Sequence, residues 1–207
     1  MESKLFTPYQ LGPVTLRNRT IRSAAFESMG KDFGPTQQLK EYHVAVARGG
    51  IGMTTLAYAA VCRSGLSFNK QLWLRPAIVP GLRDITDAIH REGAAAAIQI
   101  GHCGNMTHWT TAGQMPIGAS SGVNLYAYTP VRGMRRSEIE QVAKDFGRAV
   151  RTAHDAGFDS VEVHAGHGYL ISQFLSPYTN HRRDEYGGSL ENRMRFMRMC
   201  LEEAVGA

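Results

Sequence analysis

Cysteine is scarce in this sequence of 207 residues. Its three cysteines, Cys62, Cys103 and Cys200, are widely spaced, and no two of them form a Cys-x-x-Cys pair. An odd number of scattered cysteines argues against a disulfide framework and against a cysteine metal site. We therefore expect all three thiols to be reduced and to pack as ordinary side chains.

Long hydrophobic runs are absent as well. No stretch approaches the roughly 18 apolar residues of a membrane span, and the start, MESKLFTPYQ, lacks the apolar core of a secretory signal. These absences predict a cytoplasmic protein with no membrane partner. The hydrophobic content of 43% can still bury a sizeable core, so residues 1–207 are predicted to form a single domain.

The excess of positive charge is modest. The formal net charge is +5, and basic residues are densest at 132–136, 181–183 and 193–198. These clusters are short, and no recognition fold or aromatic stacking platform accompanies them. They predict a solvated surface rather than nucleic-acid binding. Attraction of phosphorylated cofactors is a weaker alternative.

Apolar, strand-like segments alternate with amphipathic, helix-like segments along the chain. After a small hairpin or plug in residues 5–19, strands are predicted at 21–26, 52–60, 95–100 and 158–164. Helices are predicted at 36–48, at 82–91, from Ser137 to a stop at Gly157, and after the N-cap residue Ser189. This order is typical of an α/β protein with a parallel sheet and right-handed crossovers.

The connection 101–136 is too long for a simple turn and is rich in Gly, Ser, Thr and Tyr. We expect it to be a loop that covers a substrate. The helix that follows is predicted to begin with a capping box, because Ser137 and Glu140 have the Ser-x-x-Glu spacing.

Polar side chains occur near the ends of two predicted strands. Gln99 lies in 95–100, while Glu162 and His164 lie in 158–164, and each is flanked by apolar residues. Because strand side chains alternate between the two faces, these three are expected to share the face turned away from the helices. His167 and Tyr169 follow in the next loop. In repeating strand and helix proteins, such loops at the carboxyl ends of strands usually carry the reacting groups.

Four strand and helix units fit an open sheet and also the first half of an eight-stranded barrel. The stretch HAGHGYLISQFLSPYTNHRRDEYGGSLENRMRF, which begins at His164, favours the barrel. It closely resembles the signature of the old yellow enzyme family of flavin-dependent NAD(P)H oxidoreductases, which includes ene-reductases and the barrel part of bacterial dienoyl-CoA reductases. LFTPYQLGPVTLRNR near the start and AAIQIGHCG in the middle are similar to the same family, so the resemblance spans nearly the whole chain.

The resemblance implies both a fold and a reaction. The family has a TIM (β/α)8 barrel that binds FMN at the carboxyl ends of its strands, so this chain is expected to supply about the first four β/α units. His164 and His167 match the pair that hydrogen-bonds the carbonyl oxygen of an α,β-unsaturated substrate. Tyr169 matches the residue that protonates the carbon next to that carbonyl. NAD(P)H is implied as the reductant.

The resemblance also implies cofactor-binding positions. Gln99 matches a position that hydrogen-bonds the flavin ring, and His164 is expected beside the flavin as well. Ala24, Ala25 and Ala60 match positions that pack or bond against the flavin through backbone groups.

Two features depart from the family pattern. Where the family often has Pro-Met followed by Thr or Cys beside the flavin, this chain has Ala24-Ala25-Phe26. Phe26 is expected among the cofactor-binding residues, but the departure leaves open which residue tunes the flavin potential. The family elements that follow the fourth helix, including the loops that hold the FMN phosphate, are not among these 207 residues. We therefore expect the isolated chain to bind FMN weakly, and to self-associate or to pair with a carboxyl-terminal half.

Two alternatives to an FMN oxidoreductase remain. One is a non-catalytic half-barrel that acts as an assembly partner. The other is a metal-dependent barrel lyase that uses His164 and His167 as ligands. It would have to recruit His102 or His108 as well, because the spacing fixes no third ligand. No metal is therefore predicted.

Overall fold

The computed structural model describes residues 3–124 and 128–207. In chain order its elements are β1 (Tyr9–Leu11), β2 (Val14–Leu16), β3 (Ile21–Arg22), α1 (Gln37–Arg48), β4 (Met53–Ala60), α2 (Val79–Arg91), β5 (Ala95–Gly101), α3 (Trp109–Ala112), β6 (Ile117–Gly118), β7 (Gly122–Asn124), β8 (Thr129–Gly133), α4 (Arg136–Asp155), β9 (Ser160–Val163), α5 (Leu170–Leu175) and α6 (Leu190–Val205). Strands β3, β4, β5 and β9 form a parallel sheet in that spatial order, as predicted.

Helices α1, α2 and α4 pack against this sheet, and α6 packs on α4. Leu56 and Ile98 of the sheet belong to one buried cluster with Ile89 of α2 and Phe146 of α4, and none of these side chains is exposed. Burial of a Leu, Ile or Phe side chain contributes about 1.5–3 kcal/mol. This apolar layer therefore holds the helices to one face of the sheet and leaves the other face for the site.

The hairpin of β1 and β2 closes the amino-terminal end of the other face. The two strands are antiparallel, as predicted for residues 5–19. Leu16 packs there in a small buried cluster with Met53 and Ala97. The open part of this face consequently lies toward the carboxyl ends of the strands.

The register of β5 and β9 places Gln99 beside Glu162. The Gln99 Nε2 atom donates a hydrogen bond of 2.5 Å to Glu162 Oε1, so the two side chains share a face, as their alternation with apolar residues predicted. The chain continues in register beyond the strand, because the His164 amide donates to the Ile100 carbonyl at 2.8 Å. His164 thus begins the loop that carries the other predicted site residues.

Several predicted boundaries are wrong. Helix α2 begins at Val79 rather than at Leu82, and β9 covers Ser160–Val163 rather than 158–164. The first strand covers only Ile21–Arg22 rather than 21–26. The capping box of α4 is formed by Arg135 and Glu138, not by Ser137 and Glu140. Glu138 Oε2 accepts the Arg135 amide at 2.7 Å, and Glu138 Oε1 pairs with Arg132 at 2.6 Å. The contact of Glu138 with Arg132 also holds the capping residue in place. The spacing that defines a capping box does not predict this contact.

The connection 101–136 has more structure than the predicted loop. It contains α3 and a three-stranded sheet in the order β6, β8, β7; residues 125–127 of this predicted loop lie outside the described residues. Helix α5 was also missed, since residues 161–196 were predicted to pass from the loop directly into the final helix. Its six residues are too few to show a helical period.

The three cysteines are free thiols, as predicted. Cys103 and Cys200 are buried, and burial raises the pKa of both thiols. Within residues 3–124 and 128–207, no helix is long and apolar enough to cross a membrane.

Candidate active site

A cavity of about 730 Å³, measured with its open mouth, lies at the carboxyl ends of the sheet strands. Residues 24–30, after β3, form one wall, and β4 contributes Ala57 and Tyr58. Gln99 of β5 and the loop after β9 form the opposite side. Of the predicted site residues, the cavity brings together Ala24, Ala25, Phe26, Gln99, His164, His167 and Tyr169.

Ala60 is the predicted cofactor residue that does not line the cavity. It is fully buried. Its amide donates to the Leu72 carbonyl at 2.8 Å, and its carbonyl accepts from the Leu74 amide at 3.0 Å. Both backbone groups of Ala60 therefore hold the segment after β4 in place, and its amide proton is already bonded.

The two histidine rings face each other in the cavity. His167 Nδ1 lies 3.1 Å from His164 Nε2, and the ring centroids are 4.9 Å apart. Burial lowers the pKa of His164, and a positive charge on His167 would lower it further. His164 is therefore neutral at pH 7 and presents one N–H donor. A small acceptor between the rings would meet both of them.

Tyr169 completes an aromatic cluster around His164. Its ring lies 5.1 Å from the His164 ring in an edge-to-face arrangement and 5.1 Å from the ring of Tyr58. Burial raises the pKa of the Tyr169 phenol, although the Ser67 side chain partly offsets this by hydrogen bonding. The phenol therefore keeps its proton throughout the physiological pH range and can act only as a donor there.

The loop between β9 and α5 is held rigidly. His167 has a φ of 56°, a left-handed conformation that is uncommon for a residue other than glycine. Helix α5 fixes this loop through Ser172 Oγ, which donates to the Ala165 carbonyl at 2.6 Å, and through Gln173 Nε2, which donates to the Gly168 carbonyl at 2.6 Å. A strained residue held by several contacts is typical of a functional site.

The wall after β3 has free hydrogen-bonding groups. Within the described residues, the backbone amides of Ala24, Ala25 and Phe26 form no hydrogen bond, although all three residues line the cavity. Gln99 adds a side-chain amide whose Nε2 is bonded to Glu162, which leaves its oxygen as an acceptor. A flavin ring carries acceptors and an N–H along one edge, so these groups fit it.

A buried carboxylate, which the sequence did not suggest, supports the same wall. Glu27 has 6% of its side chain exposed, and its Oε1 accepts from Arg22 at 2.7 Å and pairs with His43 Nε2 at 2.9 Å. Its Oε2 accepts the Ala57 amide at 3.1 Å. Glu27 therefore joins the loop after β3 to α1 and β4.

Replacement of Glu27 by Ala is expected to lower the free energy of unfolding by about 3–5 kcal/mol, because it leaves Arg22 and His43 buried without their partner. Chemical denaturation of the protein measures this change. Glu92→Ala is the matched control, since Glu92 pairs with the exposed Arg48 at the surface and should be close to wild type. Equal effects of the two substitutions would show that the buried network does not stabilise the fold.

Among residues 3–124 and 128–207, no third metal ligand accompanies the histidine pair. Within the described parts of the chain, no group of three or more His, Cys, Asp and Glu side chains could hold a metal ion. His102, which the lyase alternative would recruit, is buried and bonded to Ser64 and to the Gly104 amide. Burial lowers its pKa to about 3. The geometry therefore does not support the metal-dependent lyase.

Sequence reasoning missed Tyr58, Glu27 and Lys70 in the cavity wall. Tyr58 stands in an otherwise small and apolar strand, MTTLAYAA, which was a usable signal. Glu27 and Lys70 lie in irregular segments, where no periodicity indicates the direction of a side chain.

A sequence profile of the NADH:flavin oxidoreductase / NADH oxidase family matches residues 4–207. The chain is 42% identical over 198 residues to 4,4'-dithiodibutanoate disulfide reductase of Rhodococcus erythropolis, which covers 96% of this chain and 49% of that protein. It is 38% identical over 199 residues to NADPH dehydrogenase of Listeria welshimeri, covering 94% of this chain and 58% of that protein.

The fold is shared with solved structures as well. An old yellow enzyme homologue from Zymomonas mobilis superposes with a TM-score of 0.91 at 31% identity, over 99% of this chain and 60% of that one. The predicted resemblance and the (β/α)8 barrel class are thereby confirmed. The chain spans about half the length of the first of these relatives.

Proposed function

Because this chain belongs to the NADH:flavin oxidoreductase / NADH oxidase family, we propose that it forms the substrate-facing part of an enzyme that reduces activated C=C bonds. FMN and NAD(P)H are the cofactors of this family. The substrate would be an α,β-unsaturated carbonyl compound. We further propose that β3 and β9, each with one neighbour in the described sheet, pair with further strands of a barrel. The facing imidazoles of His164 and His167 beside Tyr169 are the observation that carries the proposal.

Reduced FMN, when bound, supplies the hydride that adds to the β-carbon of the substrate. The electron pair of the C=C bond then moves toward the carbonyl oxygen, where negative charge develops. His164 and His167 donate hydrogen bonds to that oxygen, in the manner of an oxyanion hole. Tyr169 gives its proton to the α-carbon and afterwards regains a proton from solvent.

The histidine contact has a consequence for binding. Without substrate, only one proton can lie between His167 Nδ1 and His164 Nε2, which are 3.1 Å apart, so one ring donates to the other. A carbonyl oxygen between the rings accepts from both only if each ring carries a proton on the facing nitrogen. Neutral rings suffice, since each neutral imidazole has one N–H. Substrate binding therefore replaces the contact between the rings and selects their tautomers.

The full-length protein is expected to bind FMN stoichiometrically and to oxidise NADPH when cyclohexenone is added, with one saturated ketone formed per NADPH consumed. Flavin absorbance after gel filtration and product analysis measure the two results. Cyclohexene is the control substrate, because it has no carbonyl group to activate its double bond. The isolated 207-residue chain is expected to retain little flavin. Absence of both flavin and turnover in the full-length protein would support the non-catalytic assembly partner instead.

Reduction of a disulfide is a second candidate, favoured by the 42% identity to a protein named as a disulfide reductase. In that reaction one sulfur of the disulfide accepts the hydride, the S–S bond breaks, and the other sulfur leaves as a thiolate. The histidine donors would stabilise this thiolate. No carbon is protonated, so Tyr169 would not be required. The test replaces cyclohexenone with 4,4'-dithiodibutanoate in the NADPH assay. Release of thiol that Tyr169→Phe does not diminish would support this second substrate class.

A further inference from the structure

Lys70 is a charged residue of the cavity wall that the proposed reaction does not use. It is exposed, and it forms no ion pair within the described residues. Its backbone is fixed, because the Lys70 carbonyl accepts from the Gly30 amide at 2.9 Å. A Cβ atom on Gly30 would lie 2.6 Å from that carbonyl oxygen, so the close approach requires glycine. The base of the lysine side chain is thus held against the loop after β3.

The charge balance of the cavity favours an anion. Besides Lys70, the lining contains one other Asp, Glu, Lys or Arg among the described residues, Glu27, and its carboxylate is already paired with Arg22 inside the wall. His164 is neutral because burial lowers its pKa. Lys70 therefore brings to the cavity lining a basic side chain that no carboxylate of the described residues pairs with.

An apolar surface lies beside this charge. The rings of Phe26 and Phe68 both line the cavity, with their centroids 4.8 Å apart. Phe26 is 77% exposed and Phe68 is partly exposed, so the two rings together present apolar surface to a ligand in the cavity. A ligand that combines an apolar body with an anionic group would contact both features.

We propose that Lys70 binds a carboxylate group of the substrate, while the apolar part of that substrate lies against Phe26 and Phe68. This inference rests on the proposed function and deepens it, because it assigns the substrate to the class of unsaturated carbonyl compounds that carry a separate carboxylate. The carbonyl would occupy the space between His164 and His167, which line the same cavity. Lys70 is then a specificity residue with no part in the chemical step.

Binding to the flavin-loaded, full-length protein tests this assignment without requiring turnover. The probes are a saturated cyclohexanone that carries a carboxymethyl group and its methyl ester, and calorimetry gives their dissociation constants. Lys70→Met is expected to weaken binding of the acid about tenfold, the loss of one charge-assisted hydrogen bond, and to leave the ester unchanged. Lys70→Arg should retain most of the affinity for the acid. Lys144→Met, which removes an exposed charge from α4 on the outer surface, is the matched control.

Other results would overturn the proposal. If Lys70→Met weakens the acid and the ester equally, or neither, the lysine does not recognise a carboxylate. A loss confined to NADPH, with NADH unaffected, would assign Lys70 to the phosphate of the nicotinamide cofactor. Weaker retention of FMN would assign it to the flavin phosphate. Failure of the proposed function is seen separately, as no turnover of cyclohexenone by the wild-type protein, and the binding comparison stands whatever that result is.

Discussion

Replacement of Tyr169 by phenylalanine is expected to slow the reduction of a cyclic enone by about a hundredfold to ten-thousandfold, the usual contribution of a positioned general acid. The substitution removes one hydroxyl group and keeps the ring that packs on His164 and Tyr58. The cavity should therefore keep its shape. Only the proton that reaches the α-carbon is lost, so substrate binding should change little while kcat falls.

Rapid mixing separates the two halves of the reaction. In the Tyr169→Phe protein, NADPH should bleach the flavin absorbance at the wild-type rate, because that step needs no proton from the phenol. Reoxidation by the enone should be slow. Tyr178→Phe is the control, since Tyr178 is 87% exposed and does not line the cavity. An unchanged rate of reoxidation in Tyr169→Phe would exclude the phenol as the acid.

The pH dependence follows from the same group. Burial raises the pKa of Tyr169, so the acid form persists to a higher pH than an ordinary phenol allows. The rate of enone reduction should accordingly be flat from neutral pH upward through the range in which free tyrosine is protonated. It should fall only above that range.

The sheet and its helices could be predicted because periodicity is strong there. In β5 and β9, apolar residues alternate with Gln99 and Glu162, and the two polar side chains do meet across the sheet. Ser189 acts as the N-cap of α6, as predicted, and α1 begins within one residue of the predicted helix 36–48, with Thr36 as its N-cap. Such signals arise from local geometry, so one sequence is sufficient to read them.

The wall of the cavity was less predictable, because contacts between distant segments determine it. Glu27 meets His43 and the Ala57 amide, which lie 16 and 30 residues away. The Lys70 carbonyl accepts from the Gly30 amide, which brings Lys70 against the loop after β3. Neither arrangement leaves a periodic pattern in the sequence. Ala60 shows the converse, since a residue matched through the resemblance has its backbone groups occupied by Leu72 and Leu74.

Loss of either histidine should have the second largest effect on turnover. His164→Ala and His167→Ala are each expected to lower kcat for the enone about a hundredfold to a thousandfold, as removal of one oxyanion donor does elsewhere. His154→Ala is the control, because His154 lies near the end of α4 with 88% of its side chain exposed. Steady-state kinetics and the affinity for the saturated ketone should be measured for each variant.

The combination of the two histidine substitutions is the sharper test. The rings contact each other at 3.1 Å, so their effects should be coupled rather than additive. Once one ring is gone, the carbonyl oxygen can no longer be held from both sides, and loss of the second ring should cost less than it does alone. His167→Asn keeps an N–H donor and should recover part of the rate lost in His167→Ala. Strictly additive losses, with no recovery by asparagine, would mean that the rings do not act together on one oxygen.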